Sequence, residues 1–299
     1  MDPGPEAGMT YTRRRGLAGL LFLAPYALSF GVFIVLPILV ALVLAFMQFD
    51  LTARDSIKFV GTKNFVDAWK DDYFWQAMRA TLAYVVLMVP SLLVTALGMA
   101  LGLNAMTRGR NTVRALLFLP GMLNVAVTGI LWQWFYNGEF GLFNFLLKSF
   151  HLNPAPWLSD KAYAMPSIVL MSLWWTLGGT SVVLLAALQQ IPRQLFEAAV
   201  LDGSGPRALF GKIILPLLKP VLLFVVVTNT IAGFQVFGQP FLLTRGGPEL
   251  STRGLVQYIY ETAFNNYRLG YGAAMSWMLF AVVAIFALIQ YGFLRRSTA

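Results

Sequence analysis

The sequence predicts an all-α integral membrane protein with about six transmembrane helices. Three observations carry that expectation. Mean hydropathy is +0.68 and only 12% of residues are charged, about half the charge of an ordinary soluble domain. The apolar residues come in long runs, each near or above the roughly 20 residues that cross about 30 Å of hydrocarbon. The period-two alternation of a membrane barrel is missing, so backbone groups in those runs can be satisfied in lipid only as helices.

Six spans are read in order, over residues 17–49, 80–103, 115–136, 165–188, 217–243 and 271–294. The first is longer than a bilayer requires, and Pro25 and Pro37 are candidate kinks in it. Arg13, Arg14 and Arg15 precede it in the manner of a cleavable leader. The run is too long for that, and no small-residue cleavage site follows, so it reads as an uncleaved helix. The second contains Gly98-Met99-Ala100-Leu101-Gly102, a small-xxx-small pattern expected to let helices approach closely. The fifth is long, and Gly238 and Pro240 are expected to end or break it. The sixth is an uninterrupted apolar run. The domain reading is therefore a tail over 1–16, one transmembrane domain over 17–294 and a tail over 295–299. No soluble domain fits between spans, because the longest connections, such as 50–79, hold about 30 residues.

Placing the N-terminus in the cytoplasm puts 12 of the 22 basic residues on the cytoplasmic side, in the shorter segments. That density satisfies the positive-inside rule, with both termini inside. In this setting a net charge of +9 reflects loop asymmetry, and nucleic acid is not an expected partner. The chain has no cysteine and His151 is its only histidine. Thiolate and multi-histidine metal sites are excluded, as is a cysteine nucleophile, and no catalytic residue is assigned.

The connection between the fourth and fifth spans, 192–216, carries helix signals. Pro192 suits a first turn, and Arg193 to Leu201 are good helix formers. Leu195, Phe196, Ala199 and Val200 form an apolar stripe. Asp202-Gly203 reads as a stop with glycine left-handed, and Gly205-Pro206 starts a second short helix. Such a helix–turn–helix could rest on lipid headgroups or dock a soluble partner. Its polar face holds Arg193 and Glu197 and no lysine, which favours docking.

These residues carry a family resemblance. Glu197-Ala198-Ala199, three residues, Gly203, nine residues, then Ile213-Ile214-Leu215-Pro216 resembles the EAA motif of ABC-importer permeases. Leu242-Leu243-Thr244-Arg245-Gly246-Gly247-Pro248 is similar to the L-T-x-G-G-P signature of carbohydrate permeases. Phe59-Val60-Gly61-Thr62-Lys63-Asn64-Phe65 resembles the family's F-V-G-x-x-N-Y, with Phe for Tyr. Tyr258 to Phe264 and Gly270 to Ala274 extend the likeness. The resemblance implies a type I ABC importer permease fold and a first permease subunit of a sugar importer, in a bacterial or archaeal inner membrane. It implies a second, distinct permease subunit, a dimer of ATPase subunits and an extracytoplasmic sugar-binding protein docking on 50–79 and 245–270. Glu197, Ala198, Ala199, Asp202 and Gly203 would couple to the ATPase, with Glu197 meeting a basic residue in its cleft.

ATP chemistry is expected in the partner, which would bind ATP and Mg. The nearest phosphate loop here, Gly205 to Lys212, is one residue too long and is followed by Ile213. No cofactor is expected in this chain. No span carries an acidic residue at mid-depth, which disfavours an ion-coupled carrier. A membrane-embedded enzyme would need clustered ionisable groups, and Asp67, Lys70, Asp71 and Asp72 read more simply as a solvated loop. A permease for a non-sugar solute remains the nearest alternative. Amides and aromatic faces could meet a sugar, and the candidate path residues are Gln235, Phe234, Asn229, Gln239, Trp174 and Asn124.

Overall fold

The computed structural model describes residues 22–50 and 57–295. The tail over 1–16, the start of the first span, Arg13 to Arg15 and the end of the C-terminal tail lie outside the described residues. Within them, five helices are long and apolar enough to cross a membrane, or six if one bent pair counts as a single span. By contacts, the chain divides into two compact units: residues up to Ala68 with Thr262–Trp277, and Trp69–Glu261 with the remainder.

In the first unit, helix α1 (Phe22–Ala45) is apolar on all sides. A π turn, Gly31–Val35, interrupts it just before Pro37. Pro37 has no N–H for the carbonyl one turn back, and the wider turn sits at that defect. The chain then forms a short antiparallel pair, β1 (Met47–Gln48) with β2 (Lys58–Phe59), in the register Met47 to Phe59. The Asn64 side chain, from α2 (Lys63–Lys70), donates to the carbonyls of Ala45 (3.0 Å) and Met47 (2.9 Å). These bonds satisfy acceptors that the end of α1 would otherwise leave open.

The second unit is built on α3 (Asp72–Ala105), 34 residues long with Pro90 inside it. Asp71 caps its start by accepting from the N–H of Tyr73 (2.9 Å). It packs along α7 (Lys161–Gln189), and Leu92, Ala96, Ala100, Ile168, Met171 and Leu184 are buried. The small-xxx-small expectation needs correction here. A side chain at Gly98 or Gly102 would meet nothing within 4 Å, whereas Ala96 and Ala100 are fully buried. The close face is two residues out of register with the glycines, because the alanines lie on the buried side of the helix.

The third span is not continuous. It consists of α4 (Arg110–Met122) and α5 (Val125–Phe135), bent by 100°. Pro120 and Gly121 lie in the closing 3-10 turn. Asn124 then caps α5, its Oδ1 accepting from the N–H of Ala126 (2.9 Å). Backbone polar groups freed in a break must find partners, and the Leu123 carbonyl accepts from Trp175 Nε1 (3.1 Å). The short helix α6 (Leu142–Ser149) follows. Its Asn144 is buried, donating to the carbonyls of Gly138 and Ala155 and accepting from the Ala155 N–H and Trp157 Nε1.

Between α7 and the next span lies α8 (Arg193–Leu201). The second short helix expected after Gly205-Pro206 is instead the first turn of a long one, α9 (Pro206–Phe234). A π turn, Phe210–Ile214, carries the helix past Pro216 without a stop. The fifth span breaks after Phe234, and α10 (Gly238–Leu243) resumes beyond it. The expected interruption thus falls just ahead of Gly238 and Pro240. Helix α11 (Leu255–Tyr260) follows, and α12 (Leu269–Arg295) forms the last span.

Candidate functional site

Helix α8 begins after Pro192, which stands at the N-cap position. It ends in a complete Schellman stop. The Gly203 N–H donates to the Val200 carbonyl (3.0 Å) and the Ser204 N–H to the Ala199 carbonyl (2.9 Å), with Gly203 at φ +74°. Only glycine adopts that angle without strain. Asp202 is the C-cap residue. The expected apolar stripe divides between two faces. Ala199 is buried and Phe196 half-buried, while Leu195, Val200 and Leu201 are exposed. Glu197 and Ala198 are exposed as well. Among the described residues no ion pair joins Glu197 to Arg193 one turn earlier. The helix therefore presents a carboxylate and three large apolar side chains away from the chain.

Along the spans, α4, α7 and α9 border a groove of about 420 Å³. Phe118 and Trp175 line it with Thr176, Thr180, Thr228 and Asn229. Three side chains of this wall donate within their own helices. Thr176 donates to the Ser172 carbonyl (2.8 Å), Thr228 to that of Phe224 (2.7 Å) and Asn229 Nδ2 to that of Val225 (2.8 Å). The threonine hydroxyls keep acceptor capacity, and Asn229 keeps its carbonyl oxygen and a second amide N–H. Amide and hydroxyl groups beside aromatic rings suit a ligand rich in hydroxyls.

The other expected path residues are distributed differently. Asn124 and Gln235 are exposed at the two helix breaks, and Gln239 is half-buried on α10. The breaks belong to segments that pack together. A Cβ on Gly238 would strike the Val125 side chain, and one on Gly129 the Leu242 side chain. Gln133 Nε2 donates to the Leu242 carbonyl across the same contact. Trp174 is half-buried with its ring 5.7 Å from that of Trp132. Phe234 needs correction: it is 0% exposed, and its ring packs 5.1 Å from Phe286. Its neighbours on α9 and α12 cover it, so it offers no face to a ligand. Thr180 and Gly179 in the groove escaped the sequence reading, although Thr176 and Thr180 stand one helical turn apart.

Beyond α10, residues 244–261 form a tied loop. Thr244 and Thr252 share a hydroxyl bond (2.7 Å), and Thr252 donates to the Gly247 carbonyl (2.7 Å). Arg253 is 9% exposed. Its guanidinium lies over the rings of Tyr258 (4.5 Å) and Tyr73 (5.3 Å) and pairs with Glu261 (3.4 Å). Gln257 also donates to Glu261 (2.9 Å). Gly246 sits at φ +88°, and a Cβ there would approach Arg253 Cβ to 2.9 Å, which gives this glycine of the signature a physical reason. Tyr258 donates to Asp71, and Gln76 to the Glu249 carbonyl (3.0 Å), tying the loop to the start of α3.

Residues 93–298 match the family described as binding-protein-dependent transport system inner membrane component. The sulfoquinovosyl glycerol transport system permease protein SmoG of Agrobacterium fabrum is 33% identical over 266 residues, covering 89% of this chain and 86% of that protein. The trehalose/maltose transport system permease protein MalF of Thermococcus litoralis is 33% identical over 292 residues, 97% of each chain. Among solved structures, a chain of a bacterial alginate ABC transporter, crystallised with an alginate pentasaccharide-bound periplasmic protein, superposes with a TM-score of 0.85. It covers 95% of this chain and 96% of that one at 22% identity, a likeness of fold.

Proposed function

The chain belongs to the family of binding-protein-dependent transport system inner membrane components and is a multi-pass membrane protein, and from that premise we propose that it is one permease subunit of an ATP-driven sugar importer. In this reading it sits in a bacterial or archaeal inner membrane with both termini and α8 in the cytoplasm. A second, similar permease completes the translocation path. Two ATPase subunits bind ATP and Mg and dock below. An extracytoplasmic binding protein delivers sugar above, on the connections at 50–79 and 245–270.

The observation that carries the reading is α8. It is a short helix closed by a Schellman stop, and it offers Glu197 with no ion pair among the described residues. A rigid body of that size can seat in a socket and transmit closure of the ATPase pair to the spans on either side. Glu197 would make a charge-assisted bond to a basic residue there. Ala198 and Ala199 would allow close approach, while Asp202 and Gly203 shape the turn. The substrate class rests on the names of the relatives, transport-system permeases for a sugar glycoside and for trehalose and maltose, and on the groove's amide and hydroxyl groups beside aromatic rings. Asn229 belongs to that wall; Asn124, Gln235 and Gln239 would meet the path at the helix breaks. Trp174 would support the neighbouring aromatic cluster.

The test is co-purification from mild detergent with the native chain and with Glu197→Lys, followed by ATPase assay with binding protein and candidate sugars. The native chain brings down an ATPase whose turnover a sugar stimulates, and the variant loses one or both. Failure of any ATPase to accompany the native chain would sink the proposal.

A further inference from the structure

We propose that the ATPase contact extends beyond α8 onto the loop joining α3 to α4, so that the partner grips two segments of this chain at once. This rests on the reading that α8 docks an ATPase.

A cavity of about 660 Å³ runs beside α8, lined by Asn104, Arg110, Gln189, Arg193, Phe196 and Glu197. A second, of about 740 Å³, shares Asn104, Arg110 and Arg193 and adds Thr107, Asn111 and Thr112. Together they make one trough from α8 to the loop. The loop is held in shape. Arg110 donates from Nη2 to the carbonyls of Asn104 (2.8 Å) and Met106 (2.9 Å), closing acceptors at the end of α3. Gly109 makes the turn at φ +73°. The Arg110 Nε is shielded and has no partner among the described residues.

Charge selects the occupant. The trough carries two guanidinium groups, with Glu197 at one end. A phosphate headgroup would be drawn by the arginines and repelled by the carboxylate. A protein surface can satisfy both, with a basic side chain opposite Glu197 and an acidic one opposite Arg193 and Arg110. A second grip has a mechanical meaning. The nine residues of α8 span about 14 Å, and a helix that short held alone can pivot in its socket. Contact with the loop would fix the angle and move the end of α3 with the ATPase.

The chain has no cysteine, so Asn111→Cys supplies its single thiol in the first turn of α4, on the trough beside the loop. It is labelled with benzophenone maleimide in the assembled transporter, in nanodiscs, and irradiated. The expected product is a covalent adduct with the ATPase; Phe145→Cys on α6 serves as control and gives none. A separate variant, Asn111→Glu, is expected to weaken ATPase binding about fivefold, the effect of one screened charge contact, in neutral and anionic lipid alike. Adducts with lipid alone, or a loss confined to anionic lipid, assign the trough to headgroups and overturn the proposal. So does the absence of any adduct while Glu197→Lys still releases the ATPase. If the unmodified chain holds no ATPase, the failure lies with the docking reading itself.

Discussion

Replacing Gly178 with alanine puts a methyl group where α7 meets the end of α4. The new Cβ would fall on the Leu117 carbonyl oxygen, 2.6 Å from the Leu117 carbonyl carbon and 2.8 Å from Phe118 Cα. These are backbone atoms, and no rotamer change relieves the clash. The two helices must part by about 1 Å to restore ordinary contact, and overpacking of this kind costs about 1–3 kcal/mol. The shift also strains the Trp175 bond to the Leu123 carbonyl, one turn away. Thermal unfolding in detergent, followed by tryptophan fluorescence, is expected to show Tm lowered by several degrees, at about 2–4 °C per kcal/mol. Gly98→Ala is the control, since its Cβ meets nothing. It removes a flexible residue from a helix interior and is expected to be neutral or to stabilise by up to about 1 kcal/mol. If Gly178→Ala melts with the native protein while Gly98→Ala melts early, the helix contact has been assigned to the wrong glycine.

Other outcomes follow from the same geometry. Asn144→Ala removes four hydrogen bonds from a buried site; a loss of about 3 kcal/mol is expected, visible as faster proteolysis between residues 137 and 160. Arg253→Ala strips Glu261 of its ion pair and leaves two tyrosine rings unfilled. About 3 kcal/mol of destabilisation is expected in a melt, with Arg253→Lys intermediate because it keeps charge and loses the planar stack. Asn229→Ala is expected to lower sugar uptake about tenfold while basal ATPase activity and assembly stay unchanged, as measured with vesicles; unaltered uptake would remove Asn229 from the path.

The spans and α8 were legible because their signals are local. Apolar runs identify the helices, and Asp202-Gly203 identifies the stop, since a left-handed residue there needs glycine. The bend of the third span was hidden because Pro120, Gly121 and Asn124 lie inside a run whose hydropathy never falls enough to mark an end. The fate of Phe234 depends on Phe286, 52 positions later, and local composition carries nothing of that pairing. The burial of Arg253 needs Tyr73 on α3 and Tyr258 at once, and no local pattern signals it. The small-residue face was misplaced by two positions because glycine content was weighed without the rotation of the helix.

Helix α3 has 34 residues and at 1.5 Å per residue is about 51 Å long, some 20 Å more than the hydrocarbon layer. One end holds Asn104, beside the α8 trough; near the other, Tyr73 and Gln76 hold the tied loop at 244–261. A torque applied at Asn104 would reach that loop through one continuous helix. Pro90 is the place inside that helix where a rung of the hydrogen-bond ladder is missing, and so the point at which it would flex under load.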